Sequence, residues 1–220
     1  MSNDIRFCQD RFGGKAAIAS PLPAVNRVIY VAEGRATIAG DVVSTDQAWF
    51  GPAAVASIEA GSGGATLWRW EVVPSGSADI LLAGDDVSSQ CALSAPIETL
   101  DPGDGSQWLM RCDSVSFPPG GCAYTHVHQG PGIRCLKDGK IRIDAEGHSE
   151  HYAPGQPWFE SGPDPVFAQA DAIEPTRFIR VMVLPRALKG QSSIRYVLDE
   201  DKDKPKTQQY RGYVDEFIDL

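Results

Sequence analysis

Gly120-Gly-Cys-Ala-Tyr-Thr-His126-Val-His128-Gln-Gly-Pro-Gly132-Ile-Arg134-Cys-Leu-Lys-Asp-Gly139 is the stretch on which the fold turns. Its first part reads as a β-strand carrying His-x-His. Side chains alternate across a strand, so His126 and His128 share a face. The same parity puts Cys122 and Tyr124 in their row. Two imidazoles on one face, beside soft or polar neighbours, make half of a metal site. The chain's other histidines are His148 and His151. His148 lies in Ala145-Glu-Gly-His-Ser, which reads as an exposed hairpin turn. His151 follows on the next strand and either turns inward or stays at the surface.

Composition narrows the setting. The chain has 220 residues, 42% of them hydrophobic, with 22 Gly and 16 Pro, as expected of a turn-rich globular protein. No apolar run approaches the roughly 20 residues needed to cross a bilayer, so no membrane partner is expected. A net charge of -9 argues against nucleic acid. The five cysteines, at positions 8, 91, 112, 122 and 135, are odd in number and lack CxxC spacing. That favours reduced thiols in a soluble, cytoplasmic protein over a disulfide framework.

Outward from the histidines, the chain reads as a duplication. Arg27-Val-Ile-Tyr-Val-Ala-Glu-Gly34-Arg-Ala-Thr-Ile38 aligns with Gly132-Ile-Arg-Cys-Leu-Lys-Asp-Gly139-Lys-Ile-Arg-Ile143. Ala48-Trp49-Phe50-Gly51 aligns with Pro157-Trp158-Phe159-Glu160. Thr66-Leu-Trp-Arg69-Trp-Glu-Val-Val-Pro74 aligns with Arg177-Phe-Ile-Arg180-Val-Met-Val-Leu-Pro185. The three matches keep one order, as repeats do. Both halves consist of short β-branched and aromatic runs broken by Gly, Pro, Asp or Asn, the pattern of a sandwich or barrel. Turn formers mark a boundary near residues 95–107. The expected organisation is a first domain over 1–95, a second over 108–190, and a tail over 191–220 that packs on a barrel or a partner subunit.

On these residues the chain resembles the cupin superfamily, and its duplication resembles a bicupin. The first cupin motif runs glycine, five residues, His-x-His, three or four residues, glutamate, six residues, glycine. Gly120, His126, His128, Gly132 and Gly139 keep every spacing, with Gly132 in the glutamate position. Gly155 opens a segment with the spacing of the second motif, and Val166 falls where its metal histidine would be. The resemblance spans residues 108–186, and a degenerate copy spans 10–75, where Pro21 and Pro23 replace the histidines. It implies an all-β chain of two cupin-type barrels (double-stranded β-helix, or jelly roll), with the site in the second.

With two of the family's ligands replaced, Glu160 becomes the candidate third ligand. It ends the strand Pro157-Trp-Phe-Glu and would complete a two-histidine, one-carboxylate set; otherwise it is a rim carboxylate paired with an arginine. Arg134 has inward parity and either binds a substrate carboxylate or bridges to Glu160; Cys135 then faces outward. Arg180 is a second substrate-binding candidate, although its repeat counterpart Arg69 suggests a structural role. Tyr124 is either a proton donor or a lining residue. Trp158, repeated as Trp49, either lines the substrate site or packs the core.

The implied protein binds a divalent transition metal (Fe, Mn, Ni or Zn) and a small-molecule substrate; the long apolar tail makes a homodimer the expected assembly. The implied activity is dioxygenase-like, on a small organic or aromatic acid. The alternatives are a cupin isomerase or lyase and a non-catalytic ligand-binding or sensor module.

Overall fold

The computed structural model describes residues 2–97 and 108–220. Beyond Ile97, the turn-rich boundary stretch lies outside the described residues. The chain divides into two compact units, Met1–Pro96 and Ile97–Leu220. Among the described residues no helix is long and apolar enough to cross a membrane.

The first unit is built on one sheet. Its strands are β1 (Asn3–Phe12), β2 (Asn26–Ile38), β3 (Asp41–Ser44), β4 (Gln47–Gly51), β5 (Ile58–Pro74) and β6 (Val87–Ile97). Their order is β3-β2-β5-β1-β6, and β4 also pairs with β2. The long strands β2 and β5 shift register between Val31 and Glu33 and again between Gly34 and Ala36. Gly34 makes the second shift possible. Its φ is +78°, and a Cβ there would meet the Gly64 carbonyl oxygen at 2.2 Å. Ile29, Val31, Ile38, Val55, Ile58 and Leu67 form the apolar core of this unit.

The second unit has two five-stranded sheets. Its strands are β7 (Trp108–Phe117), β8 (Cys122–His128), β9 (Gly132–Asp138), β10 (Ile141–Ala145) and β11 (His148–Tyr152), followed by β12 (Pro157–Glu160), β13 (Val166–Ala170), β14 (Thr176–Pro185), β15 (Ile194–Tyr196) and β16 (Gln209–Ile218). One sheet runs β11-β10-β13-β8-β15 and the other β12-β9-β14-β7-β16. Ala123, Leu136, Ile143, Trp158, Ala168 and Phe178 belong to its core. Residues 191–220 are not an appendage: β15 extends one sheet beside β8, and β16 extends the other beside β7. Val214 and Ile218 are buried, while Tyr210 and Phe217 are exposed. Cys135 has no solvent-facing side; it and Ile133 are fully buried, so this part of β9 is covered on both faces.

The repeated segments pair in the same register. Trp49 lies across from Ile29, and its counterpart Trp158 lies across from Arg134. Ile29 lies across from Arg69, and Arg134 across from Arg180. On the other side, Cys8 faces Arg69 and Asp113 faces Arg180.

The interior polar residues differ between the units. In the first, Asp10, Arg27, Arg69 and Glu71 are fully buried. Arg69 contacts Asp10 Oδ2 through Nε at 2.8 Å and Glu71 Oε1 through Nη1 at 2.6 Å. Arg27 Nε reaches the same Glu71 oxygen at 2.6 Å. Two guanidinium groups and two carboxylates thus neutralise one another where no water helps. Removing one member strands the others, which costs more than the intact network contributes. Asp10→Ala is expected to lower unfolding free energy by about 3–5 kcal/mol, read from urea denaturation.

Candidate metal centre

Strand β8 brings the two histidines to the interior, though not with the expected neighbours. Val166 pairs with His126 and Ala168 with Ala123, so β8 carries one extra residue between these rungs. The bulge resets side-chain parity. Ala123 lies inward with His126 and His128, whereas Cys122 and Tyr124 do not, which corrects the simple alternation expected from the sequence. The Tyr124 ring lies under the Lys204 and Lys206 ammonium groups, at 5.1 and 5.2 Å, and takes no part in the histidine cluster. Its backbone contributes instead: the Tyr124 carbonyl accepts from His126 Nδ1 at 2.7 Å. That bond leaves the His126 Nε2 lone pair free to bind.

His128 is oriented similarly. Its Nδ1 lies 3.3 Å from Ser193 Oγ, and its Nε2 is 3.5 Å from Arg180 Nη1 and 3.6 Å from Glu160 Oε2. Burial pushes the pKa of His126 down and that of His128 well down; the Arg180 and Arg134 charges lower His128 further. Both imidazoles are therefore neutral near pH 7, the form a metal needs.

Glu160 arrives on β12, two residues beyond Trp158. The Trp158 indole Nε1 donates to Glu160 Oε1 at 2.9 Å, and Arg134 Nη2 lies 2.7 Å from Oε2. Of the two readings of Arg134, the structure shows the internal ion pair. Its Nη1 also donates to the Gly132 carbonyl at 2.7 Å. Burial lowers the Arg134 pKa to about 10, against the opposing pull of Glu160, so it remains a cation at neutral pH. Arg180 holds Asp113 through Nε at 2.6 Å and Nη2 at 3.1 Å. Trp158 is buried in the core, stacked on Tyr152 with ring centres 4.9 Å apart.

His126, His128 and Glu160 each place a donor atom within 4.8 Å of the others, and all three are buried. They line a cavity of about 20 Å³, together with Arg134, Arg180 and Tyr210. One ion or one water fills such a space. Two neutral imidazoles and a carboxylate fit a first-row transition cation better than magnesium or calcium. Arg134 is the competitor for Glu160. The exposed His148 and His151 belong to β11 and lie outside the cluster.

Ser193, Asp113 and Tyr210 were not anticipated from the sequence. Asp113 could have been found through the repeat, since Arg180 has a paired counterpart in Arg69. Nothing local signals Ser193, which lies 65 residues from His128.

Gly132 and Val166, which stand where the cupin motif has a glutamate and a histidine, each have close neighbours. A Cβ on Gly132 would meet the Val181 carbonyl oxygen at 2.4 Å and Met182 Cα at 2.9 Å. The backbones approach too closely there for any side chain. Val166 lies directly across from His126 and is packed into the core.

No protein-family model and no curated protein sequence matches this chain. Solved structures do. A point variant of Bacillus subtilis oxalate decarboxylase matches with a TM-score of 0.64 and 14% identity, over 89% of this chain and 71% of that one. A variant of salicylate 1,2-dioxygenase from Pseudoaminobacter salicylatoxidans, in complex with gentisate, matches with a TM-score of 0.56 and 11% identity, over 87% and 71%. AerE from Microcystis aeruginosa matches with a TM-score of 0.57 and 14% identity, over 82% and 88%. At such identities the likeness shows the fold alone, an all-β cupin fold.

Two outcomes follow for the site. Gly132→Glu is expected to restore no ligand; it and Gly132→Ala should destabilise the protein, by roughly 1–3 kcal/mol for the alanine, in urea melts. The second concerns acid. Both histidines have folded pKa values below the ordinary 6.5, so below pH 6.5 the unfolded chain takes up protons that the folded chain refuses. Stability should fall with pH in that window, by at most about 1.4 kcal/mol per pH unit for each imidazole and by less where the unfolded imidazole is only partly protonated. His128→Asn should flatten the slope in a urea-denaturation series from about pH 7.5 to 5.5.

Proposed function

We propose that this chain is a two-barrel cupin protein whose second unit binds one divalent transition cation (Fe, Mn, Ni or Zn) through His126, His128 and Glu160. The convergence of these three buried donors carries the reading. The first unit, without any histidine, offers no imidazole site and serves as a degenerate companion barrel. The shared register of the repeated strands supports the duplication. So do the structural alignments, which cover more of the chain than either unit contains.

The activity we propose is dioxygenase-like, on a small organic or aromatic acid. A bound cation would act there as a Lewis acid with coordination positions open to substrate. The chain's own residues set the terms around it. Asp113 holds Arg180 so that Nη1 faces the histidine cavity, where it can meet an anionic group. Trp158 and Arg134 fix the Glu160 carboxylate between them. The cavity is too small for an organic acid, so substrate must occupy an adjoining groove. One, of about 230 Å³, shares Ile143 and Glu160 with the cavity; another, of about 320 Å³, shares Arg180, Ile194 and Tyr210.

A second reading is a metal-free ligand-binding module, and the Arg134–Glu160 contact at 2.7 Å favours it, because the arginine already occupies the carboxylate. Metal analysis of protein purified without a histidine tag separates the two. The metal reading expects near-stoichiometric metal, lost in His126→Ala and His128→Ala and bound more weakly in Glu160→Gln, which lacks the carboxylate charge. It also expects Arg134→Met to bind metal more tightly by freeing the carboxylate. Wild-type protein that stays empty after anaerobic reconstitution with iron(II) or manganese(II) would leave the metal-free module standing.

A further inference from the structure

In the first unit, β6 lies beside β1 at the edge of the sheet. Two side-chain bonds fix how they align. Ser89 Oγ donates to Asp10 Oδ1 at 2.5 Å, and Gln90 Nε2 donates to Gln9 Oε1 at 3.0 Å. One strand descends as the other rises, so the next rung sets Cys8 against Cys91. Burial agrees: Cys8 and Asp10 are buried in β1, while Ser89 and Cys91 are the less exposed alternate residues of β6.

Residues directly opposed in an antiparallel pair have Cα atoms about 4.5–5.5 Å apart. That lies inside the roughly 4.4–6.8 Å a disulfide spans. We propose that Cys8 and Cys91 are a thiol–disulfide pair, oxidised reversibly by a hydroperoxide, that staples edge strand β6 to β1.

The two side chains lie near enough to act on each other's ionisation. Burial pushes the Cys8 thiol up to about 12 and also raises Cys91, so oxidation is slow at neutral pH and faster in alkali. Cys91 is the half-buried member and reacts first. Its thiolate attacks the peroxide oxygen, the O–O bond breaks, and a sulfenic acid forms with release of one water (or alcohol). Cys8 sulfur then displaces the sulfenic oxygen, which leaves with the Cys8 proton as water. The two thiols lose two electrons and two hydrogens, and the peroxide gains them. The other cysteines are opposed by other residue types in their ladders: Cys112 by Val181 and Val214, Cys122 by Gln169, and Cys135 by Ile179 and Pro157.

The test treats the full chain with hydrogen peroxide at neutral and alkaline pH, alkylates the remaining thiols and maps the peptides without reduction. The expected result is loss of two free thiols per chain, one Cys8–Cys91 cross-linked peptide, and its reversal by dithiothreitol. The oxidised protein should unfold at higher urea than the reduced one, because the link constrains the unfolded chain. Cys8→Ser and Cys91→Ser should each abolish the link. Should either variant fail to fold, mapping of the wild type decides by itself. Cys91 driven to sulfinic acid with Cys8 still free would overturn the proposal. So would a link through any other cysteine, or one between two chains. None of these outcomes depends on whether the second unit binds metal.

Discussion

The Glu160 carboxylate, held between the Trp158 indole and the Arg134 guanidinium, is the constraint around which the second unit's interior is arranged. A charge removed from water must be met by partners, and both of these are buried. Trp158 does this from within the apolar core, so the packing that places its ring also aims the carboxylate. Arg134 does it from β9, directly across from Arg180, and Asp113 in turn balances Arg180. The result is a pair of adjacent arginines, each balanced by its own carboxylate, beside a cavity of about 20 Å³. A cation entering there meets two neutral imidazoles and a carboxylate, and it must draw that carboxylate from Arg134.

The two units show one strand ladder used for two interiors. The position of Arg180 is filled by Arg69 in the first unit, and each arginine finds an aspartate, Asp113 or Asp10. The position of Arg134 is filled by Ile29, and Glu71 with Arg27 completes a closed, fully buried ionic group. In the second unit the corresponding space is shared with histidines, and its groups face a cavity instead of only one another. The difference is chemical, since the backbones pair alike at these rungs.

Much of the fold was legible because strand patterns are local. Alternating apolar residues, turn formers and the spacing from Gly120 to Gly139 depend on a few neighbours at a time, and so does the threefold match in one order that suggests a repeat. The histidine pair and Glu160 could be named as candidates for the same reason. Alternation failed at one place. The extra residue in β8 opposite Val166–Ala168 turned Tyr124 away from the histidines, and a bulge leaves no mark when only one strand of the pair is read. Likewise the tail could be read as apolar but not as two edge strands, since edges are defined by what lies beside them.

By itself, then, the sequence determined an all-β chain with a repeated strand pattern, two same-face imidazoles and a glycine where the cupin motif has a glutamate. Tertiary structure alone decided that Gly132 has no room for a side chain, because the β14 backbone at Val181 and Met182 comes too close. It also decided that Arg134 pairs with Glu160, and that Ser193 and Asp113 meet His128 and Arg180. Each of these is a contact between strands distant in the chain. Its energy comes from distance and burial in three dimensions, quantities that spacing along one dimension does not contain.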